Sequence, residues 1–264
     1  MPRFAANLSL LFTELPLPQR FAAARAEGFS AVEIQFPYSL PAGQIAALLQ
    51  QHDLQLVLHN LPAGNLDAGE RGIACDPARI AEFHAGVAQA LSYARRLKVT
   101  RLNCLAGIAP PDVSPALARS TLIANLHHAA SQLQPHGITL LLEAINTIDI
   151  PRFFVCHSAQ MADIIAACEM PNIRMQYDIY HMTCMQEDVQ ADLRSCLPLI
   201  GHIQIADAPG RGEPGTGSID FGTLLPLLDT LGYTGWVGCE YLPQNGTRAG
   251  LGWLQLLAAS QSGN

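Results

Sequence analysis

Four short apolar runs each end in an oxygen-bearing side chain: ITLLLE (138–143), IRMQYD (173–178), GHIQ (201–204) and WVGCE (236–240). An amphipathic stretch follows each run, which is the pattern of a buried strand that leads into a helix. If the runs are consecutive parallel strands, their final side chains lie together at one end of a single sheet. These side chains are Glu143, Asp178, Gln204 and Glu240. Three carboxylates in one place repel each other unless a cation lies between them, so the pattern predicts a divalent-metal site.

The alternation of strands and helices extends over the whole chain. Alanine- and leucine-rich segments of helical period, such as GQIAALLQQH, separate eight candidate strands. The strands are at about 3–8, 31–36, 54–59, 100–105, 138–143, 173–178, 200–204 and 235–240. The pattern predicts the α/β class and a single (β/α)8 TIM barrel, a fold that needs about 250 residues. A doubly wound open sheet is the alternative, but no G-x-G-x-x-G follows the first strand. We expect one domain over 1–264, with the last 5–10 or so residues as a loose tail.

The composition excludes several classes of protein. Apolar residues make up 49% of the chain and charged residues 14%, which favours a large closed core over disorder. The net charge of −7 repels phosphate backbones, so we expect no nucleic-acid partner. No uncharged apolar run reaches the roughly 18 residues that span a bilayer, so we expect no membrane partner. Seven cysteines without a C-x-x-C pair indicate reduced thiols and a cytoplasmic location.

The position of the single lysine excludes catalysis through a Schiff base. Lys98 is the only lysine in the chain, against fourteen arginines. It lies in RRLKVTR, between a predicted helix and the next strand, which is the end of a barrel opposite the active end. Schiff-base catalysis needs a desolvated lysine in the pocket, and this chain has none to offer.

Two connections are long and rich in glycine: NLPAGNLDAGERGIACDPAR (60–79) and ADAPGRGEPGTGSID (206–220). Both follow predicted strands, at the end of a barrel where enzymes place their substrate loops. We therefore expect substrate contacts from Glu70, Arg71 and Arg79 in the first loop and from Arg211 in the second. The alternative is that both segments are solvated, flexible loops.

The chemistry of the four oxygen ligands points to a particular metal and reaction. Oxygen-only ligation suits Mg²⁺ or Mn²⁺, whereas Zn²⁺ prefers imidazole or thiolate. Four protein ligands leave two octahedral positions for adjacent oxygens of an α-hydroxycarbonyl substrate. Glu143 and Glu240, on opposite walls, would then remove a proton from one carbon and deliver one to the next.

Several polar residues flank the four ligands. His181 follows Asp178 by three positions, so we expect it to lean over the site and donate to a substrate oxygen. His202 alternates with Gln204 and would face the same side one layer deeper. A structural role is the alternative for each histidine. Further candidates for the pocket walls, each with a structural alternative, are Glu33, His59, Asn60, Asn103 and Cys104.

Three motifs resemble the hydroxypyruvate isomerase family, part of the larger group of xylose isomerase-like barrels. They are FAANLSLLFTELP (4–16), HIQIADAPGRGEPGTGSIDF (202–221) and GYTGWVGCEY (232–241). The resemblance covers nearly the whole chain and implies a TIM barrel, a divalent metal and aldose–ketose isomerisation of a small acid. It places the acid/base glutamates at Glu143 and Glu240, and the metal ligands at these two plus Asp178 and Gln204.

The substrate that this resemblance implies is hydroxypyruvate, interconverted with 2-hydroxy-3-oxopropanoate through a cis-enediolate. Relatives carry a histidine where this chain has Asn103, and such departures leave 2-dehydrotetronate open as the substrate. We expect Arg211 to bind the substrate carboxylate, with Arg71 and Arg79 as the other candidates. Remote alternatives are a metal-dependent endonuclease for damaged DNA and a non-catalytic sugar-acid binding barrel. A homo-oligomer is left open.

Overall fold

The eight apolar runs form eight parallel strands in the computed structural model, which describes residues 2–254. They are β1 (Arg3–Asn7), β2 (Ala31–Glu33), β3 (Gln55–Asn60), β4 (Arg101–Cys104), β5 (Thr139–Glu143), β6 (Ile173–Asp178), β7 (Ile200–Ile205) and β8 (Trp236–Cys239). Each strand pairs with the next one along the chain, and β8 pairs with β1, so the sheet closes. The prediction of a (β/α)8 barrel is confirmed.

Helices connect the strands along the outside of the sheet. They are α1 (Leu17–Ala26), α2 (Ala42–Gln51), α3 (Ile80–Leu97), α4 (Pro115–Leu133), α5 (Ser158–Cys168), α6 (Ile179–Cys184), α7 (Val189–Cys196) and α8 (Phe221–Thr230). The loop after β3 contains two single-turn 3₁₀ helices, Leu66–Ala68 and Pro77–Arg79, so it is more ordered than its glycine content suggests. The predicted C-terminal tail falls in residues 255–264, outside the described part of the chain.

The second strand is shorter than the sequence predicts. The expected span 31–36 was wrong at its end, because β2 stops at Glu33. The register to β3 shifts between Val32 and Glu33, which interrupts regular pairing. Pro37 then begins a 3₁₀ turn and restricts the backbone of the residue before it. The early end of β2 leaves Gln35 outside the sheet, where its side chain reaches the site described below.

Apolar side chains fill the barrel toward the starts of the strands, and polar ones gather toward their ends. Ala5, Ala31, Val57, Leu58 and Leu141 form a buried cluster that is separate from the main core between sheet and helices. Beyond them, Asn7, Glu33, Gln176, His202 and Gln204 are all buried. Buried polar groups are stable only when they are hydrogen-bonded, so this end of the barrel must contain an organised network.

Three further expectations concern the rest of the chain. Lys98 is exposed and lies between α3 and β4, at the opposite end of the barrel from the polar cluster, as predicted. All seven cysteines are free thiols. Among residues 2–254, no helix has the length and apolar character that a bilayer crossing requires.

Candidate active site and metal centre

The four predicted ligand side chains lie at the carboxyl ends of four successive strands. Glu143 and Asp178 are the last residues of β5 and β6, Gln204 is next to last in β7, and Glu240 directly follows β8. The register pairs Gln204 with Asp178 on one side and with Gly238 on the other. All four side chains are buried.

A cavity of about 290 Å³ opens above them. Its lining residues come from the strand ends and from the loops that follow: Leu10, Gln35, Phe36, Asn60, Leu66, Arg71, Leu105, Glu143, Ile145, Ile150, His181, Arg211 and Glu240. The volume is near the lower end of the usual range for ligand pockets, about 300 Å³, so the site suits a small molecule. Asp178 and Gln204 are not part of this lining.

The buried carboxylates raise each other's pKa. Burial raises the pKa of Glu143 well above its usual value, and the negative charges of Glu240 and Asp178 raise it further. Burial and the charge of Glu240 raise the pKa of Asp178 to about 7, against the opposing effect of Arg211. Burial also raises the pKa of Glu240, while Arg211 acts to lower it. The guanidinium of Arg211 therefore offsets only part of the charge of the three carboxylates, and the site has a deficit of positive charge.

The side chains fit a divalent cation. One ligand atom each from Glu143, Asp178 and His181 lie within 4.8 Å of one another. Asp178 Oδ1 accepts the backbone N–H of Tyr180 at 2.8 Å and so caps α6, but Asp178 Oδ2 is buried without a hydrogen-bond donor among residues 2–254. A buried carboxylate oxygen without a donor is rare, and a metal ion would satisfy it.

Gln204 has partners that the sequence did not indicate. Its Nε2 donates to Glu33 Oε2 at 2.9 Å, and its Oε1 accepts from Gln176 Nε2 at 2.6 Å. Glu33 is hydrogen-bonded through its other oxygen to His202 Nε2. The structure thus places Gln204 in a polar layer below the cavity, with His202 one layer deeper, as the alternation along β7 predicts.

Gly238 makes room for the Glu33 carboxylate. A Cβ at this position would lie 2.2 Å from Glu33 Oε1 and 2.5 Å from Oε2. Only glycine therefore allows β8 to pass the carboxylate at this height. Glu33 in turn accepts from Asn7 Nδ2 at 3.3 Å, and the same nitrogen contacts Glu240 Oε1 at 3.2 Å. Asn7 therefore connects Glu33, below the cavity, to Glu240 in the cavity wall.

The two predicted acid/base glutamates are held differently. Glu240 accepts from Asn7, from Gln35 Nε2 at 2.6 Å and from Arg211 Nη2 at 2.9 Å. Glu143 accepts from Asn103 Nδ2 at 2.7 Å. Asn103 therefore touches an acid/base candidate directly. Cys104, the next residue, is buried in the main core and does not line the cavity.

His181 presents a hydrogen-bond donor to the cavity. Its Nδ1 lies 2.7 Å from Asn146 Nδ2, an amide nitrogen that can only donate. The amide orientation is fixed because Asn146 Oδ1 accepts the backbone N–H groups of Ile148 and Asp149 at 3.0 and 2.7 Å. Nδ1 is then the acceptor and Nε2 carries the proton, 3.6 Å from Asp178 Oδ2. Burial and Arg211 hold the pKa of His181 well below its usual value, so the imidazole is neutral.

The arginines of the two loops occupy different environments. Arg211 lines the cavity, but its guanidinium is bonded to Glu240, lies 3.9 Å from Asp178 and stacks over Tyr180 at 5.3 Å. Arg71 also lines the cavity, and its Nη1 donates to the carbonyls of Leu66 and Glu70. Among the described residues, no carboxylate lies within 4.0 Å of Arg71. Arg71 is therefore the cavity cation with charge available for a ligand.

The other predicted substrate contacts lie farther out or deeper in. Arg79 bridges Glu70 and Glu82, at 2.6 Å from each, and neither Arg79 nor Glu70 lines the cavity. Glu70 Oε2 also accepts the N–H of Asn65, so this pair closes the loop on itself. His59 is buried beside Tyr38, outside the lining, and burial lowers its pKa to about 4. Its neighbour Asn60 does line the cavity.

Asn7, Gln35 and Asn146 were not predicted from the sequence, although each positions a site residue. Asn7 ends β1, so the rule that selected oxygen-bearing side chains at strand ends would have found it if applied to the first strand. Asn146 lies three residues beyond the end of β5, where that rule does not reach. Gln35 gave no such signal, because its position depends on the early end of β2.

The comparisons with known proteins agree with this architecture. A family model described as xylose isomerase-like TIM barrel matches residues 21–257. The chain belongs to this family. The resemblance indicated by the three sequence motifs is therefore confirmed.

Individual relatives extend over almost the whole chain. The hydroxypyruvate isomerase of Escherichia coli is 45% identical over 254 residues, covering 96% of this chain and 98% of that protein. The 2-oxo-tetronate isomerase of Cupriavidus necator is 43% identical, covering 97% and 98%. A crystal structure from Brucella melitensis, described as AP endonuclease, family 2, has a TM-score of 0.94 at 40% identity and covers 97% of this chain and 98% of its own.

The close fit of Gly238 against the Glu33 carboxylate can be tested by Gly238→Ala. The added methyl meets a carboxylate that Asn7, His202 and Gln204 hold in place, so it cannot move aside without breaking hydrogen bonds. We expect a loss of about 1–3 kcal/mol in the free energy of unfolding, the usual effect of overpacking. Unfolding in urea, monitored by circular dichroism, measures this loss.

Two further variants serve as controls for this effect. Gly43→Ala, in α2, adds a methyl with no atom within 4 Å, and should leave stability equal or higher. In a Glu33→Ala background, Gly238→Ala should have almost no additional effect. An equal effect with and without the Glu33 carboxylate would contradict the proposed contact.

Proposed function

We propose that this protein is an aldose–ketose isomerase of small hydroxy-oxo acids, interconverting hydroxypyruvate and 2-hydroxy-3-oxopropanoate. The observation that carries the proposal is the pair of buried carboxylates, Glu143 and Glu240, in the wall of one small cavity. Two carboxyl groups that face one ligand from separate strands suit the removal and return of a proton. Relatives named hydroxypyruvate isomerase and 2-oxo-tetronate isomerase, at 45% and 43% identity, support it.

The reaction moves hydrogen between adjacent carbons without a change of formula. One glutamate removes a proton from C3 of hydroxypyruvate, and the C2 carbonyl oxygen takes up the negative charge of the enediolate. The protonated carboxyl group then delivers a proton to C2. The C3 hydroxyl loses its proton and becomes the aldehyde oxygen, and the C2 oxygen gains a proton and becomes the new hydroxyl, so the formula is unchanged. His181 Nε2–H donates to the oxygen on which charge develops, and a neutral imidazole with a fixed tautomer is suited to that role.

Glu143 and Asp178 would hold a divalent metal, with Gln204 and Glu240 as the further predicted ligands, and His181, whose ligand atom lies within 4.8 Å of theirs, would keep its Nε2 proton for the substrate. When bound, the metal supplies a Lewis acid that polarises the substrate carbonyl. The predominance of oxygen donors favours Mg²⁺ or Mn²⁺ over Zn²⁺. Arg211 neutralises part of the carboxylate charge from the loop side and holds Glu240 in one orientation.

Arg71 is the best candidate for binding the substrate carboxylate. Arg211, the residue favoured by sequence, already donates to Glu240, whereas Arg71 Nε and Nη2 are not engaged by acceptors among residues 2–254. A guanidinium binds a carboxylate through two parallel hydrogen bonds. The proposed ligand thus has its carboxylate at the first loop and its reacting carbons between the two glutamates.

A second candidate substrate is 2-dehydrotetronate, which has one more carbon. The 43% identity to a 2-oxo-tetronate isomerase is close to the 45% identity to a hydroxypyruvate isomerase, so identity does not separate the two. Assay of both acids under identical conditions distinguishes them through kcat/KM.

We retain the cytoplasmic location, which the seven free thiols support.

Two remote alternatives are disfavoured. An endonuclease for damaged DNA would need a basic face, and this chain has a net charge of −7 and a cavity of about 290 Å³. In a binding barrel without activity, two buried carboxylates would cost free energy of folding without serving a proton transfer. Turnover of either acid would exclude the binding barrel, and a parallel assay on DNA with an abasic site tests the endonuclease.

The acid/base roles are tested by Glu143→Gln and Glu240→Gln. We expect each change to lower kcat at least about 100-fold, the scale for loss of a general acid or base. Amide and carboxylate have nearly the same shape, so circular dichroism and the thermal midpoint should be close to wild type. Glu82→Gln, on the outer surface of the barrel, is the matched control and should retain full activity. Wild-type turnover in either site variant would contradict its assigned role.

The carboxylate assignment is tested by Arg71→Gln beside Arg79→Gln and Arg211→Gln. Arg71→Gln should raise KM for the acids and leave kcat nearly unchanged, because it removes binding that substrate and transition state share. Arg79→Gln should have a smaller effect, since Arg79 is paired with Glu70 and Glu82. Arg211→Gln should lower kcat, because it removes the charge beside Glu240. A rise in KM caused by Arg211→Gln alone would return the role to Arg211.

Metal binding is tested by calorimetric titration, independently of activity. We expect the wild-type protein, after chelation and dialysis, to bind one equivalent of Mn²⁺, and Asp178→Asn to bind it at least about 10-fold more weakly. Asp188→Asn, at the cap of α7, is a control of the same chemistry away from the site. Equal Mn²⁺ affinity in the wild type and Asp178→Asn would contradict the site. Activity restored better by Mg²⁺ or Mn²⁺ than by Zn²⁺ would support the choice of metal.

A further inference from the structure

Three arginines converge at the opposite end of the barrel from the proposed active site. Arg3 and Arg101 are the first residues of β1 and β4, and Arg174 is the second residue of β6. All three line one cavity of about 680 Å³ at the starts of the strands. These strands are not neighbours in the sheet, so the guanidiniums approach the cavity from separate directions.

This cavity contains positive charge without matching negative charge. No aspartate or glutamate belongs to its lining. Within residues 2–254, no carboxylate oxygen lies within 4.0 Å of any of the three guanidiniums, whereas Arg25, Arg79, Arg211 and Arg248 are all in ion pairs. In a chain with a net charge of −7, three unpaired arginines around one cavity form a local concentration of positive charge.

Each guanidinium is anchored on one side and has donors left over. Arg3 stacks on Trp236, with its guanidinium carbon 4.5 Å from the ring centroid, and donates through Nη2 to Thr234 O at 2.7 Å. Arg101 reaches from β4 to β7 and donates through Nε to Gly201 O at 2.8 Å. Arg174 donates through Nη1 to the carbonyls of Pro171 and Ile173. A guanidinium has five N–H groups, so most donors are available, in fixed positions.

The surrounding backbone fits these side chains closely. A Cβ at Gly201 would lie 2.8 Å from Arg174 Cβ and 2.7 Å from Leu141 Cδ2, so glycine is needed where the arginine passes the strand. Tyr233 packs over Gly235 and donates to Trp236 O at 2.8 Å. Burial raises the pKa of Tyr233, with Glu33 acting in the same direction and Arg101 and Arg3 acting to lower it. Thr139 and Thr234 add further polar groups to the lining.

We infer that Arg3, Arg101 and Arg174 form an anion site for a phosphate group, either free or at the end of a small phosphate monoester. Guanidinium binds phosphate oxygens through paired, charge-assisted hydrogen bonds, and three of them match a tetrahedral dianion better than a planar carboxylate. The cavity has room for a phosphate and the organic part of a monoester. A bound anion would connect the starts of β1, β4 and β6 and so stabilise the folded barrel.

The test is titration of the full-length protein with inorganic phosphate at constant ionic strength, followed by calorimetry and thermal unfolding. We expect saturable binding and a rise in the unfolding midpoint that sodium chloride at the same ionic strength does not produce. Arg101→Gln and Arg174→Gln should each weaken binding at least about 10-fold, the scale for a hydrogen bond to a charged group. Arg101→Lys should restore only part of the affinity. Glycerol 3-phosphate in a parallel titration shows whether a monoester binds more tightly than free phosphate.

The controls separate this site from general charge effects and from the proposed active site. Arg95→Gln removes the same charge from the surface of α3 and should leave phosphate affinity unchanged. If Arg101→Gln does not fold, Arg3→Gln, at an exposed position, replaces it. The variants lie at the opposite end of the barrel from the proposed active site and should leave isomerase activity unchanged. Phosphate binding is measured without substrate, so it tests the anion site even if the protein is not an isomerase. Lack of saturable binding, or equal weakening by Arg95→Gln, would overturn the inference.

Discussion

Three carboxylates are buried within one end of this barrel, and the rest of the site is organised around their mutual repulsion. Glu143, Asp178 and Glu240 come from three different strands, and closure of the sheet brings them together. Burial and the like charges act in the same direction on their pKa values. Arg211 offsets part of this charge, and the arrangement of the remaining donors leaves an opening that suits a cation.

The hydrogen bonds around these carboxylates fix the orientation of the side chains in the site. Glu240 is held from β1, from the segment after β2 and from the loop after β7, so its carboxylate has one orientation. His181 is held by Asn146, which itself is fixed by two backbone N–H groups. Below them, Glu33 joins His202, Gln204 and Asn7 into one layer, and Gly238 leaves the space that this layer needs.

Charge is distributed unevenly between the two ends of the barrel. The carboxyl end of the sheet contains the carboxylates, and the amino end contains Arg3, Arg101 and Arg174 without acidic neighbours in their cavity. Between the two ends lies an apolar layer that includes Ala5, Ala31, Val57 and Leu141. The proposed metal site and the proposed anion site therefore lie at opposite ends of the barrel, each among side chains of opposite charge to its ligand.

The sequence by itself determined the order of the strands and helices and the residues at the strand ends. Hydrophobic periodicity is a local property, and the side chain that ends an apolar run is read directly from the chain. For this reason Glu143, Asp178, Gln204 and Glu240 could be selected together, and the barrel could be predicted. The same local signals gave no information about the hydrogen-bond partners of these side chains.

Only the tertiary structure decided which side chains meet. Asn7 and Glu240 are 233 residues apart, and Glu33 and His202 are 169 apart, so only closure of the barrel creates these contacts. The structure also distinguished Arg211, which is bonded to Glu240, from Arg71, whose Nε and Nη2 have no acceptor within residues 2–254, although both lie in similar glycine-rich loops. Side-chain direction depends on the packed neighbours and the strand register. These are properties of the whole fold, which no local stretch of sequence specifies.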